Sequence, residues 1–252
     1  MRLLIDLGNT RVKWAWQAVP DGSLVDAQGA NHDVGRCAQL LTAVAEHEPA
    51  DIWLSSVAGA AADSLQSAIQ AACSATTTRA ISPAQLGGIR NAYSQPERLG
   101  VDRFLVLLAA ARRYPAQALL VVDAGTALTI DALDAHGQHL GGSIAPGLGL
   151  MRHSLGRGTA TLGASADPPR VTLDQLGADT EGAIECGILS AAHGAIALRL
   201  QQLRPRQPRL LFTGGDAVAL ARDFAHAEQF PLLVLEGLSH YADLMTAAGS
   251  AT

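Results

Sequence analysis

The chain repeats itself. Near its start, the apolar run Leu3-Leu4-Ile5 leads into Asp6-Leu7-Gly8-Asn9-Thr10, after which Val12, Trp14 and Trp16 recur with a period of two. From Ala118 the plan returns. Leu119-Leu120-Val121-Val122 ends in Asp123, Ala124-Gly125-Thr126 turns, and Leu128 and Ile130 alternate with Thr129 and Asp131. Such alternation marks a half-buried strand, and a Gly-containing segment between two such runs marks a tight turn. A third strand follows in each half, near Leu24 to Gln28 and near His139 to Ile144, and helices come after it. A duplicated unit of this kind predicts an α/β fold of two similar lobes facing a cleft. The expected lobes are residues 1–114 and 115–252, meeting near Tyr114-Pro115.

The remaining elements fill in around this frame. Pro20-Asp21-Gly22 predicts a turn, and the periodicity of Cys37, Leu40, Leu41 and Val44 predicts a helix from Arg36 to Glu48. Ile52-Trp53-Leu54 reads as a strand, Ala61 to Ala72 as a helix, Ile89 to Gly100 as a loop and Asp102 to Arg113 as a strongly apolar helix. A long helix is expected from Glu181 to Leu203 and a strand at Leu210-Leu211-Phe212. A Gly214-Gly215 turn with a helix behind it, a strand at Leu232 to Leu235 and a final helix complete the pattern.

Composition narrows the function classes. The chain is 48% hydrophobic and 16% charged, below the ~25% charge usual in soluble domains. That excludes disorder and leaves apolar surface for a partner subunit. With a net charge of −5 and no Lys/Arg block, nucleic acid is a poor partner. Lys13, the only lysine, lies between Val12 and Trp14, which excludes a Walker A loop. No Gly-x-Gly-x-x-Gly occurs, which argues against a Rossmann site. Cys37, Cys73 and Cys186 are scattered, as in a reduced cytoplasmic protein. No apolar run approaches ~18 residues, so no membrane span is expected, and Asp6 interrupts the N-terminal apolar stretch too early for a signal peptide. His136 and His139 lie on a hairpin turn and read as solvated.

Three Gly-containing turns follow apolar strands: Asp6 to Thr10, Asp123 to Thr126, and Thr213-Gly214-Gly215-Asp216. Glycine permits close approach of backbone to a phosphate, so that successive N–H groups can meet its oxygens. Thr and Asn add neutral hydrogen bonds. A strand-end Asp can hold a cation that offsets phosphate charge. One such turn alone is an ordinary hairpin; two in equivalent positions, with a Gly-Gly after a later strand, favour a nucleotide site.

These segments resemble the type III pantothenate kinases, a branch of the superfamily of acetate and sugar kinases and actin. Asp6 to Thr10 with Lys13 is similar to that family's first phosphate motif, and Asp123-Ala124-Gly125-Thr126-Ala127 with Thr129 and Asp131 to its second. Asn91-Ala92-Tyr93, Pro96 and Leu99-Gly100-Val101-Asp102-Arg103 resemble its substrate segment. Gly141-Gly142-Ser143-Ile144-Ala145-Pro146-Gly147 and Asp179-Thr180 with Gly187 resemble later ones. Leu162 is followed by Gly163 where the family usually shows Leu-Pro.

The resemblance implies duplicated actin-like (ribonuclease H-like) lobes and ATP-dependent phosphorylation of pantothenate to 4′-phosphopantothenate, the opening step of coenzyme A biosynthesis. It implies ATP contacts at Asp6, Leu7, Gly8, Asn9, Thr10, Arg11, Val12, Lys13 and Thr126. Pantothenate contacts are implied at Tyr93, Gly100, Val101, Asp102, Arg103 and Thr180. Asp123 resembles the family's ligand for a monovalent cation, K+ or NH4+, while Mg2+ arrives with ATP and a homodimer is expected. Asp102 is the candidate general base; an ordinary Asp has a pKa of ~3.9 and is ionised at pH 7. Read without the resemblance, Asp102 is equally a helix N-cap, Arg103 a surface arginine, Tyr93 a core residue and Thr180 a cap. The competing function is a regulatory accessory protein that keeps the fold without the kinase activity.

Overall fold

The computed structural model of the chain describes residues 1–18, 22–31, 37–57, 59–158 and 169–249. The expected turn at Pro20-Asp21, the helix start at Arg36 and the Leu162-Gly163 departure lie outside them. Two compact units emerge, Met1–Pro115 with Leu232–Thr252, and Ala116–Pro231.

The first unit opens with β1 (Arg2–Leu7), β2 (Arg11–Gln17) and β3 (Leu24–Asn31). It continues through α1 (Ala38–His47), β4 (Asp51–Ser56), α2 (Gly59–Ala72), β5 (Thr76–Arg79), the hairpin β6 (Gln85–Leu86) and β7 (Ile89–Arg90), and α3 (Val101–Arg113). The sheet order is β3-β2-β1-β4-β5. β1 to β3 form an antiparallel meander, and β4 and β5 join in parallel. Leu3, Ile5, Leu7, Val12, Trp14 and Trp16 from the meander meet Leu40, Val44, Leu65 and Ile69 of α1 and α2 in one core. Period-two patterning built that sheet face, as the sequence predicts.

The second unit repeats the plan with β8 (Leu119–Ala124), β9 (Ala127–Leu133), β10 (His139–Pro146), α4 (Leu148–Gly158), α5 (Thr180–Leu203), β11 (Arg209–Thr213), α6 (Ala217–Ala221) and β12 (Glu228–Gln229). Its sheet order, β10-β9-β8-β11-β12, is the first sheet's order again. Leu120, Val122, Leu128 and Ile130 pack against Ile188, Ala192 and Ile196 of α5. By length and mean hydropathy (1.3 over an 18-residue window within Thr180–Arg206) α5 alone among the described helices meets the criterion for crossing a bilayer. Ile188, Ala192 and Ile196 on one side of it join the core, while only a third of its apolar window is buried.

Two expectations need correction. The run Leu232 to Leu235 is no strand; it begins α7 (Leu233–Gly249), and the parallel edge strand is the short β12 before it. A brief apolar run cannot by itself distinguish a strand from a buried helical turn. The second lobe therefore does not run to residue 252. α7 returns to the first unit and packs along α3, where the Gly237 α-carbon lies against the Leu105 backbone so closely that a side chain has no room. Arg2, almost wholly buried, ties the sheet to α7 through Asp51 (3.0 Å) and Asp243 (2.5 Å).

Candidate active site

The first Asp-x-Gly turn joins β1 to β2. Asp6 faces Lys13 across the hairpin and Ser55 on the parallel strand β4. Ser55 Oγ donates to Asp6 Oδ1 at 3.1 Å. The Gly8 amide donates to the Arg11 carbonyl at 2.9 Å, so it closes the turn instead of facing outward. Asn9, Thr10 and Arg11 are exposed at the tip, whereas the Leu7 and Val12 side chains are wholly buried in the core. Those two residues can reach a ligand only through their backbone.

The second turn is one residue shorter. The Gly125 amide donates to the Ala127 carbonyl (3.1 Å), and Thr126 is exposed at the tip. Two glycines from elsewhere hold this turn. Gly147, whose amide donates to Thr126 O at 3.0 Å, approaches so closely that a Cβ would lie 2.7 Å from Thr126 O and nearer still to Gly125 O. Gly214 has φ +95°, open to glycine at little cost, and a Cβ there would sit 2.6 Å from Asp123 Oδ1. The Gly214-Gly215 turn is thereby pinned beside Asp123, with the Asp216 amide donating to Ala124 O at 2.9 Å. Beyond it, Arg152 of α4 forks onto Glu185 of α5 at 2.6 and 2.8 Å, and that carboxylate raises the Arg152 pKa. Burial raises the Asp216 pKa, with Arg152 opposing.

The segment expected to be a plain loop, Ile89 to Gly100, starts as the strand β7 and carries a 3-10 turn at Pro96–Arg98. Asn91 organises it. Its Nδ2 donates to the carbonyls of Pro83 (3.3 Å) and Pro96 (3.1 Å), and its Oδ1 accepts from the Tyr93 amide (3.0 Å). Tyr93 is thus placed for Arg103, whose Nη1 donates to the Tyr93 hydroxyl at 3.0 Å with Cζ 5.8 Å from the ring centre. Arg103 is 5% exposed, so it is no surface arginine. Asp102 is not the N-cap of α3; Gly100 is. Asp102 stands inside the first turn, and its Oδ1 accepts from the Arg103 amide at 2.8 Å. A side chain at Gly100 would press on that same oxygen. The helix therefore fixes the direction of the carboxylate and gains satisfaction of one of its unpaired N–H groups.

Thr180 is the first residue of α5, and Asp179 is the cap, its Oδ1 accepting from the Gly182 amide at 2.7 Å. Thr180 is exposed on the rim of a cavity of about 640 Å³ lined by Met151, Leu155, Ile184 and Ile188. His139 is not solvated. It is buried with Asp131, Nε2 to Oδ1 3.0 Å, which also removes Asp131 from the surface of the second turn. Within the first unit the structure joins Asp6 with Lys13, and Tyr93 with Gly100, Asp102 and Arg103; within the second it joins Asp123, Thr126, Gly147 and Gly214. Sequence reasoning missed Ser55 and Asn91's anchoring role, both set by hydrogen bonds between distant segments.

Among the described residues no group of three or more His, Cys, Asp or Glu gathers for a metal. Asp123, half-buried near the end of β8, is the acidic side chain of the second turn.

The same five-stranded α/β unit, with an Asp-x-Gly turn after its first strand, occurs twice, and this duplication is the actin-like fold. A profile of the type III pantothenate kinases matches residues 2–201, and the chain belongs to that family. A type III pantothenate kinase of Dechloromonas aromatica is 41% identical over 96% of this chain and 99% of its own. One from Laribacter hongkongensis is 38% identical over 96% and 98%. Among solved structures, a Campylobacter jejuni chain assigned to the Baf family of transcriptional activators is similar in fold, with a TM-score of 0.63 and 24% identity over 98% and 99% of the two chains.

Proposed function

We propose that this chain transfers the γ-phosphoryl group of ATP to the 4′-hydroxyl of pantothenate, as its family membership implies, with Asp102 as general base. The observation that supports the base assignment most directly is the Tyr93–Asp102–Arg103 cluster. It sets a carboxylate of defined direction next in the chain to a buried guanidinium that donates to a tyrosine hydroxyl, its Cζ 5.8 Å from the ring centre. Guanidinium offers a planar fork to a carboxylate such as that of pantothenate. A substrate held by that anchor presents its hydroxyl to Asp102. As the hydroxyl oxygen attacks the γ-phosphorus, its proton passes to the Asp102 carboxylate, and the β–γ bridging oxygen leaves with ADP. No covalent enzyme intermediate is needed; alignment and charge neutralisation carry the reaction.

The turns at Asp6 to Lys13 and Asp123 to Thr126 supply the nucleotide contacts in this reading, through exposed Asn9, Thr10 and Thr126 and the flanking backbone. Asp6 would help hold the Mg2+ that comes with ATP, the rest of whose ligands would be phosphate oxygens and water, and that ion would offset phosphate charge. Asp123 holds K+ or NH4+. A homodimer is supported by α5, only a third of whose apolar span is buried, and by the largely apolar cavity it forms with α4. A cytoplasmic setting fits three free thiols. Asp102, Arg103 and both turns are all present, although a purely regulatory relative is free to lose them.

The test is a coupled ADP-release assay with pantothenate and a panel of other small alcohols. Pantothenate alone is expected to support turnover. Asp102→Asn, which keeps an oxygen for the Arg103 amide, is expected to bind ATP as before while kcat falls at least ~10²-fold. Near-normal turnover would remove Asp102 from its role.

A further inference from the structure

We infer that Ser55 is a positioning residue for the Asp6 carboxylate, and that a hydroxyl residue on the parallel neighbour strand is a third part of the repeated turn motif. The inference rests on the proposed assignment of Asp6 to the phosphate turn.

β4 lies parallel to β1 in a register that sets Asp6 against Ser55. Ser55 Oγ donates to Asp6 Oδ1 at 3.1 Å, and Ser55 has no exposed surface. The three residues before it, Ile52, Trp53 and Leu54, are buried and apolar. A hydroxyl buried at the end of such a run is costly unless paired, and its partner here is the turn aspartate. The second unit repeats the juxtaposition. β11 lies parallel to β8 with Thr213 in register against Asp123, after the buried apolar run Leu210-Leu211-Phe212, and Thr213 is 2% exposed. Two strands of different sequence thus place a buried hydroxyl residue at the same register beside a turn aspartate.

Three consequences follow for the first turn. A neutral donor on Oδ1 restrains the rotation of the carboxylate without cancelling its charge. The second oxygen then has a defined direction relative to the strand end. Loss of the hydroxyl removes that restraint on the carboxylate, so the defect appears in nucleotide binding and not in pantothenate binding.

The experiment compares wild type, Ser55→Ala, Asp6→Ala and the double variant. Equilibrium binding of a non-hydrolysable ATP analogue with Mg2+ is measured by calorimetry, alongside the two KM values and thermal melting. Ser55→Ala is expected to weaken analogue binding about tenfold, as for loss of a donor to a charged acceptor, while the pantothenate KM stays within twofold. In the Asp6→Ala background the serine substitution is expected to change binding no further. Wild-type binding by Ser55→Ala, with binding lost in Asp6→Ala, overturns the role of Ser55 and leaves the turn assignment standing. An equal loss from Ser55→Ala in both backgrounds also overturns it, because the hydroxyl then acts on the fold and not through Asp6. Wild-type binding by Asp6→Ala brings down the turn assignment itself.

Discussion

Gly147→Ala tests how tightly the second phosphate turn is held. The added methyl would point at the Gly125 and Thr126 carbonyls, 2.7 Å from the latter, and real Cβ atoms essentially never come within 3.0 Å of another heavy atom. Both obstacles are backbone, so no side chain can swing aside. The turn must retreat by about 1 Å, or α4 must be pushed off it; overpacking of this kind costs ~1–3 kcal/mol. For a chain of this length that is a fall in Tm of roughly 2–4 °C per kcal/mol. The functional loss is expected to be larger, since ~1 Å of misplacement is worth up to ~10²-fold in rate. Steady-state kinetics in ATP would show a raised KM and a reduced kcat, with the pantothenate KM little changed. Gly149→Ala, two residues along, provides the control. A Cβ there meets nothing within 4 Å, so alanine in that helical position is expected to stabilise by ~0.5–1 kcal/mol and leave turnover alone. Wild-type kinetics from Gly147→Ala would refute the claim that contact with this glycine shapes the turn.

Tyr93→Phe removes the hydroxyl that accepts from Arg103 while keeping the ring, and is expected to raise the pantothenate KM several-fold, about 1 kcal/mol, with the ATP KM unchanged; equal changes in both constants would argue against a substrate role. Activity is expected to depend on K+ or NH4+, and equal rates in Na+-only buffer would remove Asp123 as a monovalent-ion ligand. Burial raises the Asp216 pKa above 3.8, so the ionised form disfavours the folded state: the stability that protonation supplies is present below 3.8 and is lost as pH rises through the raised value. Asp216→Asn is accordingly expected to melt above wild type at pH 7, with the gap closing as pH falls toward the ordinary carboxylate range; a gap independent of pH would contradict this.

The duplicated meander was readable because aliphatic runs, period-two alternation and Gly turns all agree there. Other elements lacked that agreement. Thr76–Arg79 forms β5 without one aliphatic residue, so no apolar run announces it. α4 is spelled Leu-Gly-Leu-Met-Arg-His-Ser-Leu-Gly-Arg-Gly, and three glycines in eleven residues obscure a helix whose support comes from α5 and the Arg152–Glu185 pair. The catalytic candidates were visible as a motif, but their surroundings were not. Arg103's burial, Asp102's place inside the helix and His139's pairing with Asp131 each depend on which segment lies opposite, and so does Ser55 beside Asp6. The partner strand in a parallel pair comes from a distant segment, so a local reading does not show which residues will meet.

The order in which a ribosome delivers this chain follows from the return of α7. The second unit is one continuous stretch, Ala116–Pro231, and every residue it needs has emerged before α7 is made. The first unit begins earlier yet finishes later, because the helix that covers α3 and anchors Arg2 is translated after the whole of its sibling. During synthesis the older half therefore waits with apolar surface open to water and to chaperones. Nascent chains halted before Leu232 should show a protease-resistant younger half beside an older one that is still digestible.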